Sequence, residues 1–166
     1  MWKNLTVYRV SQKEILPPLA QKGTTGIYHL VLSLAEPRKL HVGSLGPKRF
    51  PSGTYVYTGR AEAGLVSRLR RHLSKNKINH WHIDRLTKVA RVEEIWIDFQ
   101  PKQNECESHG WILTLPGAKT LIPRFGSSDC LCPSHLAYFD KMPVLHRKGK
   151  QQWRQTLVRV LGSAGK

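Results

Sequence analysis

Acidic residues are what this chain has least of: 11 Asp plus Glu stand against 27 Lys plus Arg in 166 residues, a formal net charge of +16. So large a deficit of carboxylates points to a polyanionic partner. Cysteine is scarce as well. Cys106, Cys130 and Cys132 are too few, and odd in number, for a disulfide framework, which agrees with a reducing compartment. Long apolar runs are missing: residues 30–35 are interrupted by Ser33, far short of the roughly 18 residues that a membrane span needs. Residues 1–10 alternate polar and apolar types without the apolar segment of a signal peptide. The expectation is a cytoplasmic, nucleoid-associated protein with no membrane partner. What is present argues against wholesale disorder, because five Trp, five Tyr and four Phe supply aromatic bulk for a core. The length suits one domain with extensions, not two full domains.

Residues 1–25 hold Pro17-Pro18 and Gly23-Thr24-Thr25 and read as a turn-rich N-terminal extension. Residues 26–34, 39–43 and 54–58 read as three antiparallel strands, with a turn or long loop over 43–53. Leu65, Val66, Leu69 and Leu73 then fall within about 100° of helical arc, which predicts an amphipathic helix over 63–74. Arg68 and His72 lie four residues apart on its flank and can face a shared pocket. Residues 82–90 read as a second helix, 92–99 as an extra strand and 104–115 as a third helix of weaker amphipathicity. Residues 124–135 read as irregular. From 141 to 166 come seven basic residues and no acid, with Trp153, Leu157, Val160 and Leu161 at the spacing of a short helix. The fold expected is a single α/β domain of the α+β kind over 26–140, between the extension and a basic tail.

Candidate chemistry converges on Gly26-Ile27-Tyr28, Tyr57-Thr58-Gly59 and the Arg68/His72 pair. Neighbouring strands would project both tyrosines from one face while the helix brings the arginine over them. These pieces resemble the GIY-YIG nucleases: Gly26-Ile27-Tyr28 looks like the first motif, and Tyr57-Thr58-Gly59 with Arg60-Ala61 looks like the second, with Thr58 replacing the usual Ile or Val. Leu65-x-x-Arg68-Leu69-x-x-His72 is similar to that family's helix with its catalytic arginine. Glu105 looks like its metal-binding carboxylate, with Glu107 as the alternative. The segments His80-Trp81-His82-Ile83-Asp84, Glu105-Cys106 and Phe125-Gly126-Ser127-Ser128-Asp129-Cys130-x-Cys132-x-x-His135-Leu136 resemble one branch more closely. That branch is the domain of unknown function 123, found alone or fused to endonuclease III. The spacing between the first two motifs is longer here than in the better-known nucleases.

The resemblance implies a small three-stranded antiparallel sheet flanked by helices and a single-metal hydrolysis of phosphodiester bonds in DNA, serving repair or processing. Tyr28 would act as general base or orient water, with its pKa lowered by nearby cations. Tyr57 would hold water or phosphate, Gly59 would allow close backbone approach, Arg68 would neutralise charge, His72 would position or protonate, and Glu105 would anchor Mg²⁺ or Mn²⁺. Arg60, Arg70, Arg71, Lys75, Lys77, Trp81 and His82 would contact nucleic acid. A repair glycosylase of the endonuclease III type is an implied partner.

Several features keep two readings. Cys130-x-Cys132-x-x-His135 with Cys106 makes either a Cys₃His zinc site or unpaired thiols, Cys-x-Cys being tight for chelation. Trp81 is a core anchor or a base-stacking surface, and Asp84 and His82 are ligands or helix-start residues. A non-catalytic DNA- or RNA-binding accessory module on the same fold is the alternative function.

Overall fold

The computed structural model describes residues 5–9 and 25–143. The tail helix expected beyond 143 lies outside the described residues. Strands β1 (Leu5–Arg9), β2 (Gly26–Leu34), β3 (Arg38–His41), β4 (Pro47–Phe50) and β5 (Gly53–Ala61) precede helices α1 (Leu65–Leu73) and α2 (His82–Val89). Strand β6 (Arg91–Asp98), helix α3 (Glu105–Ile112) and strand β7 (Leu136–Phe139) complete the order. The result is a mixed α+β fold.

The sheet corrects the expectation of three consecutive strands. It has five strands in the order β1-β6-β2-β5-β7, every neighbouring pair antiparallel. The residue 39–43 strand is not in it: β3 pairs with β4 as a separate two-stranded hairpin, and β2 pairs directly with β5. Continuous β-branched and aromatic sequence explains the central position of β2, since a strand covered on both faces has no polar side to show. Leu30, Val31 and Leu32 are all fully buried. From the N-terminal extension, Leu5–Arg9 joins the sheet as the partner of β6.

Alternation divides the core in two. On one face Tyr28, Leu30, Leu32, Tyr55, Tyr57, Ile95 and Ile97 pack with Leu65 and Leu69 of α1, Ile83 and Leu86 of α2, and Phe50 and Phe125. On the other, Val31, Val56, Trp96, Ala137 and Phe139 pack with Ile112 of α3 and Leu5. Burial of each large side chain contributes about 1.5–3 kcal/mol, so both layers are needed to hold the sheet between them.

Helix α1 starts from Gly64, whose φ of 61° suits glycine, and turns Leu65, Leu69 and His72 inward. Its connection to α2 is organised by Asp84, a carboxylate with no exposed surface. Asp84 Oδ2 accepts the N–H groups of His80 (2.8 Å) and Trp81 (3.0 Å) and a hydrogen bond from Arg71 Nη2 (2.7 Å). Lys77 Nζ sits 3.6 Å from its other oxygen. The cap of α2 is therefore its own third residue, reaching back to donors that Trp81 cannot satisfy.

Two lysines expected on a nucleic-acid surface are used internally. Lys77, with a side chain only 3% exposed, donates to the carbonyls of Arg71 and His72 and to Thr87 Oγ1. Lys75 donates to the carbonyls of Thr87 and Ala90 at the end of α2 (both 2.6 Å). Unpaired carbonyls at a helix C-terminus attract such cations.

Burial alone would raise the Asp84 pKa, but the His80 and Trp81 N–H groups, Arg71 and Lys77 overcome it and hold the carboxyl below its ordinary value. The stabilisation is complete above the ordinary carboxylate range and fades as pH falls through the lowered folded-state value. Asp84→Ala is expected to cost about 3 kcal/mol in urea unfolding at neutral pH, because it strands buried cations and N–H groups. It is also expected to flatten the acid limb of the stability profile.

Candidate functional site

The site forms where β2 begins, β5 ends and α1 crosses them. Antiparallel register sets Tyr28 opposite Gly59, and the Tyr28 ring lies across that glycine, so that a Cβ there would overlap the phenol. Gly59 thus seats the tyrosine. Tyr57, two residues earlier on the same face, has its ring against Gly126, whose φ of 72° and lack of a Cβ admit it. The two motifs are brought together as their spacing implied.

His72 closes the group from α1. Its Nε2 is 2.7 Å from Tyr28 Oη in a buried hydrogen bond, and its ring stands edge-on to Tyr57 at 6.3 Å between centroids. Its Nδ1 has no partner among the described residues. Arg68, one turn earlier and half-buried, lies with Cζ 4.9 Å from the Trp81 ring centroid, and Arg71 does so at 5.0 Å. His72 and His80 also pack on Trp81 (5.6 and 5.1 Å). Trp81 thus stacks two guanidiniums in place.

Electrostatics overturn one expectation. Burial pushes the Tyr28 hydroxyl well above the ordinary tyrosine range, and the nearby Arg68 guanidinium offsets only part of this. Tyr57 is pushed up by burial, by Tyr28 and by the charge of Glu105. Both tyrosines are neutral hydroxyls and not phenolates, because desolvation opposes charge more strongly than one cation favours it. His72 is held down to about 3 by burial and by Lys77, so it is a neutral imidazole.

Glu105 stands at the first turn of α3. The alternative, Glu107, is occupied by capping: Asn104 N–H donates to Glu107 Oε2 and Glu107 N–H to Asn104 Oδ1 (both 2.9 Å). Glu105 keeps 28% of its side chain exposed, and its Oε1 is 3.0 Å from His135 Nδ1. Its charge reaches both Tyr28 and Tyr57. Next to it, Cys106, Cys130, Cys132 and His135 present one ligand atom each, all within 4.8 Å of one another, a cluster that can hold a metal ion.

Other expected contacts divide by position. Arg60 and Arg70 are exposed, Arg60 with Glu62 3.7 Å away. His82 Nδ1 accepts the Gly126 N–H (3.0 Å), so it fastens the loop under Tyr57. Sequence reasoning missed the hairpin: Arg38, Lys39 and Arg49 are exposed on β3 and β4 beside Gly43, which lies against His82. Their separation in sequence hid them. A buried polar line was also missed, in which Thr58 Oγ1 lies 2.9 Å from His29 Nδ1 and 2.8 Å from His109 Nδ1. It runs on the opposite face of β5 and explains a threonine within an apolar strand.

Residues 27–157 match the family described as a domain of unknown function, DUF123. The chain belongs to this DUF123 family. No curated protein and no solved structure matches it. The DUF123 span contains the tyrosines, Arg68, His72, Glu105 and the whole Cys₃His cluster. Among the described residues, no helix is long and apolar enough to cross a membrane.

His29 and His109 share the depression of His72, each held to about 3 by burial first, with His109 adding at His29 and His135 at His109. An unfolded chain binds these protons near 6.5, so folding stability should fall as pH drops from about 6.5 towards 3. NMR titration should find none of the three protonating between about pH 5 and 8. Gly59→Ala should dislodge the Tyr28 ring and lower stability by about 2 kcal/mol in denaturant unfolding.

Proposed function

We propose that this DUF123 chain is a GIY-YIG-type nuclease, hydrolysing phosphodiester bonds in DNA with one divalent ion during repair or processing. The observation that carries the reading is the convergence of Tyr28, Tyr57 and His72 on one buried hydrogen-bonded floor, with Arg68 and Glu105 acting on it from opposite signs of charge. The ordered residues of the GIY-YIG motifs support it further, as does the +16 net charge.

Among the described residues beside the tyrosines, Glu105 is the candidate carboxylate for Mg²⁺ or Mn²⁺, since Asp84 is enclosed by Arg71, Lys77 and backbone N–H groups. A part-exposed glutamate fits an ion that takes one or two protein carboxylates and fills its remaining positions with water and phosphate. Bound there, the ion would lower the pKa of water and polarise the phosphoryl group. Arg68, pre-aligned on Trp81, meets the charge that develops on phosphate. The neutral Tyr28 hydroxyl, with its proton shared toward His72 Nε2, accepts a hydrogen bond from the attacking water and aims it. Tyr57 bounds the floor and excludes bulk solvent. The exposure of Arg70, Arg60 and the β3–β4 cations supports contact with a phosphate backbone.

The second reading is a DNA- or RNA-binding module without catalysis. Two features favour it: the tyrosines are buried and hard to ionise, and Glu105 already contacts His135. Branched, flapped, damaged and single-stranded DNA incubated with Mg²⁺ or Mn²⁺ separates the readings. Cleavage that drops about 100-fold or more in Arg68→Ala, with little change in affinity, is the expected result. Binding that weakens steeply with salt and never cleaves would replace the nuclease by the module.

A further inference from the structure

We propose that Cys106, Cys130, Cys132 and His135 Nε2 hold a zinc ion, and that Glu105 is the outer carboxylate of this centre. Four donors, three sulfurs and one imidazole, are the set that zinc takes in closed structural sites. The spacing agrees. Zinc bonds of about 2.3 Å to sulfur and about 2.0–2.1 Å to nitrogen, at tetrahedral angles, put a sulfur and a nitrogen about 3.6 Å apart. His135 Nε2 is 3.5 Å from Cys130 Sγ and 3.7 Å from Cys106 Sγ.

The backbone answers the objection that Cys-x-Cys is tight. Arg124, at φ 64°, donates from Nη1 to the carbonyls of Cys130 (2.6 Å) and Cys132 (3.3 Å). Its own N–H bonds the Pro133 carbonyl (2.6 Å). The loop is curled around the guanidinium, which holds the backbone of both cysteines so that their thiols stay within 4.8 Å of the other two ligand atoms. His135 is fixed by its main chain: its N–H donates to the Phe125 carbonyl (2.7 Å), and its carbonyl accepts from Thr58 N–H on β5 (3.0 Å). Leu131, between two of the cysteines, is 99% exposed, as expected where the flanking side chains turn inward and the residue itself has no packing role.

Glu105 supplies the outer contact. His135 Nδ1 lies 3.0 Å from Glu105 Oε1 without the alignment of a hydrogen bond; with Nε2 on the metal, a small turn of the carboxylate would complete the carboxylate–histidine–zinc arrangement that sets ring orientation and ligand basicity. The centre joins α3, the 130–132 loop and the residue before β7, and positions the carboxylate whose charge acts on Tyr28 and Tyr57. It stands whether or not the chain cleaves DNA.

The test uses the full chain purified under reducing conditions without chelator. Elemental analysis should find one zinc per chain, and replacement by Co²⁺ should give thiolate-to-cobalt charge transfer with the intense visible bands of a tetrahedral ion. A metal-free reduced chain that gives no cobalt–thiolate absorption overturns the site, and this measurement needs no variant. Glu105→Gln should lower zinc affinity about 10–100-fold by chelator competition and shift the cobalt bands, while Glu62→Gln on the surface should do neither. Unchanged affinity and bands in Glu105→Gln would overturn the role of the carboxylate.

Discussion

The carboxylate of Asp84 is the contact on which the cationic side of the molecule depends. It collects Arg71, Lys77 and the first N–H groups of α2 around one buried charge. That fixes Trp81, the ring on which Arg68 stacks, and Arg68 is the cation acting most strongly on the Tyr28 hydroxyl. An ion pair so enclosed adds little net stability by itself. Its effect is geometric: the helix junction has one low-energy arrangement, and the arginine is carried with it.

A second chain of dependence runs through the sheet. Gly59 admits the Tyr28 ring, Gly126 admits Tyr57, and His82 holds the loop that contains Gly126. Neither glycine need touch a ligand to be required. The floor itself is buried and uncharged, so the charges of Arg68, Glu105 and Asp84 act on its tyrosines with little solvent screening.

Runs of β-branched and aromatic residues bounded by turn signals made β2 and β5 legible, and the 3.6-residue recurrence of apolar positions did so for α1 and α2. Strand β7 was not: Leu136–Phe139 is buried at all four positions and follows an irregular segment, so it has no alternation to read. The position of β3 failed for another reason, since adjacency in sequence suggested a neighbour in the sheet where the chain instead forms a detached hairpin. At the site, Tyr28, Tyr57, Arg68 and His72 came together as their order implied. Their charge states did not follow from order, because desolvation depends on what covers a residue. For the same reason Lys75 and Lys77, indistinguishable from surface cations as letters, turned out to close two helices.

The strand order has a kinetic consequence. Among the described residues, Leu5–Arg9 and Leu136–Phe139 form opposite edges, and the first strand pairs with the sixth. During synthesis, β2 can join β5 early, yet its other edge stays bare until residues 91–98 have emerged. Pairings so distant in sequence are slow to close. For that interval the most apolar strand of the chain is half-unpaired, which makes it the segment most exposed to intermolecular association before the sheet is complete.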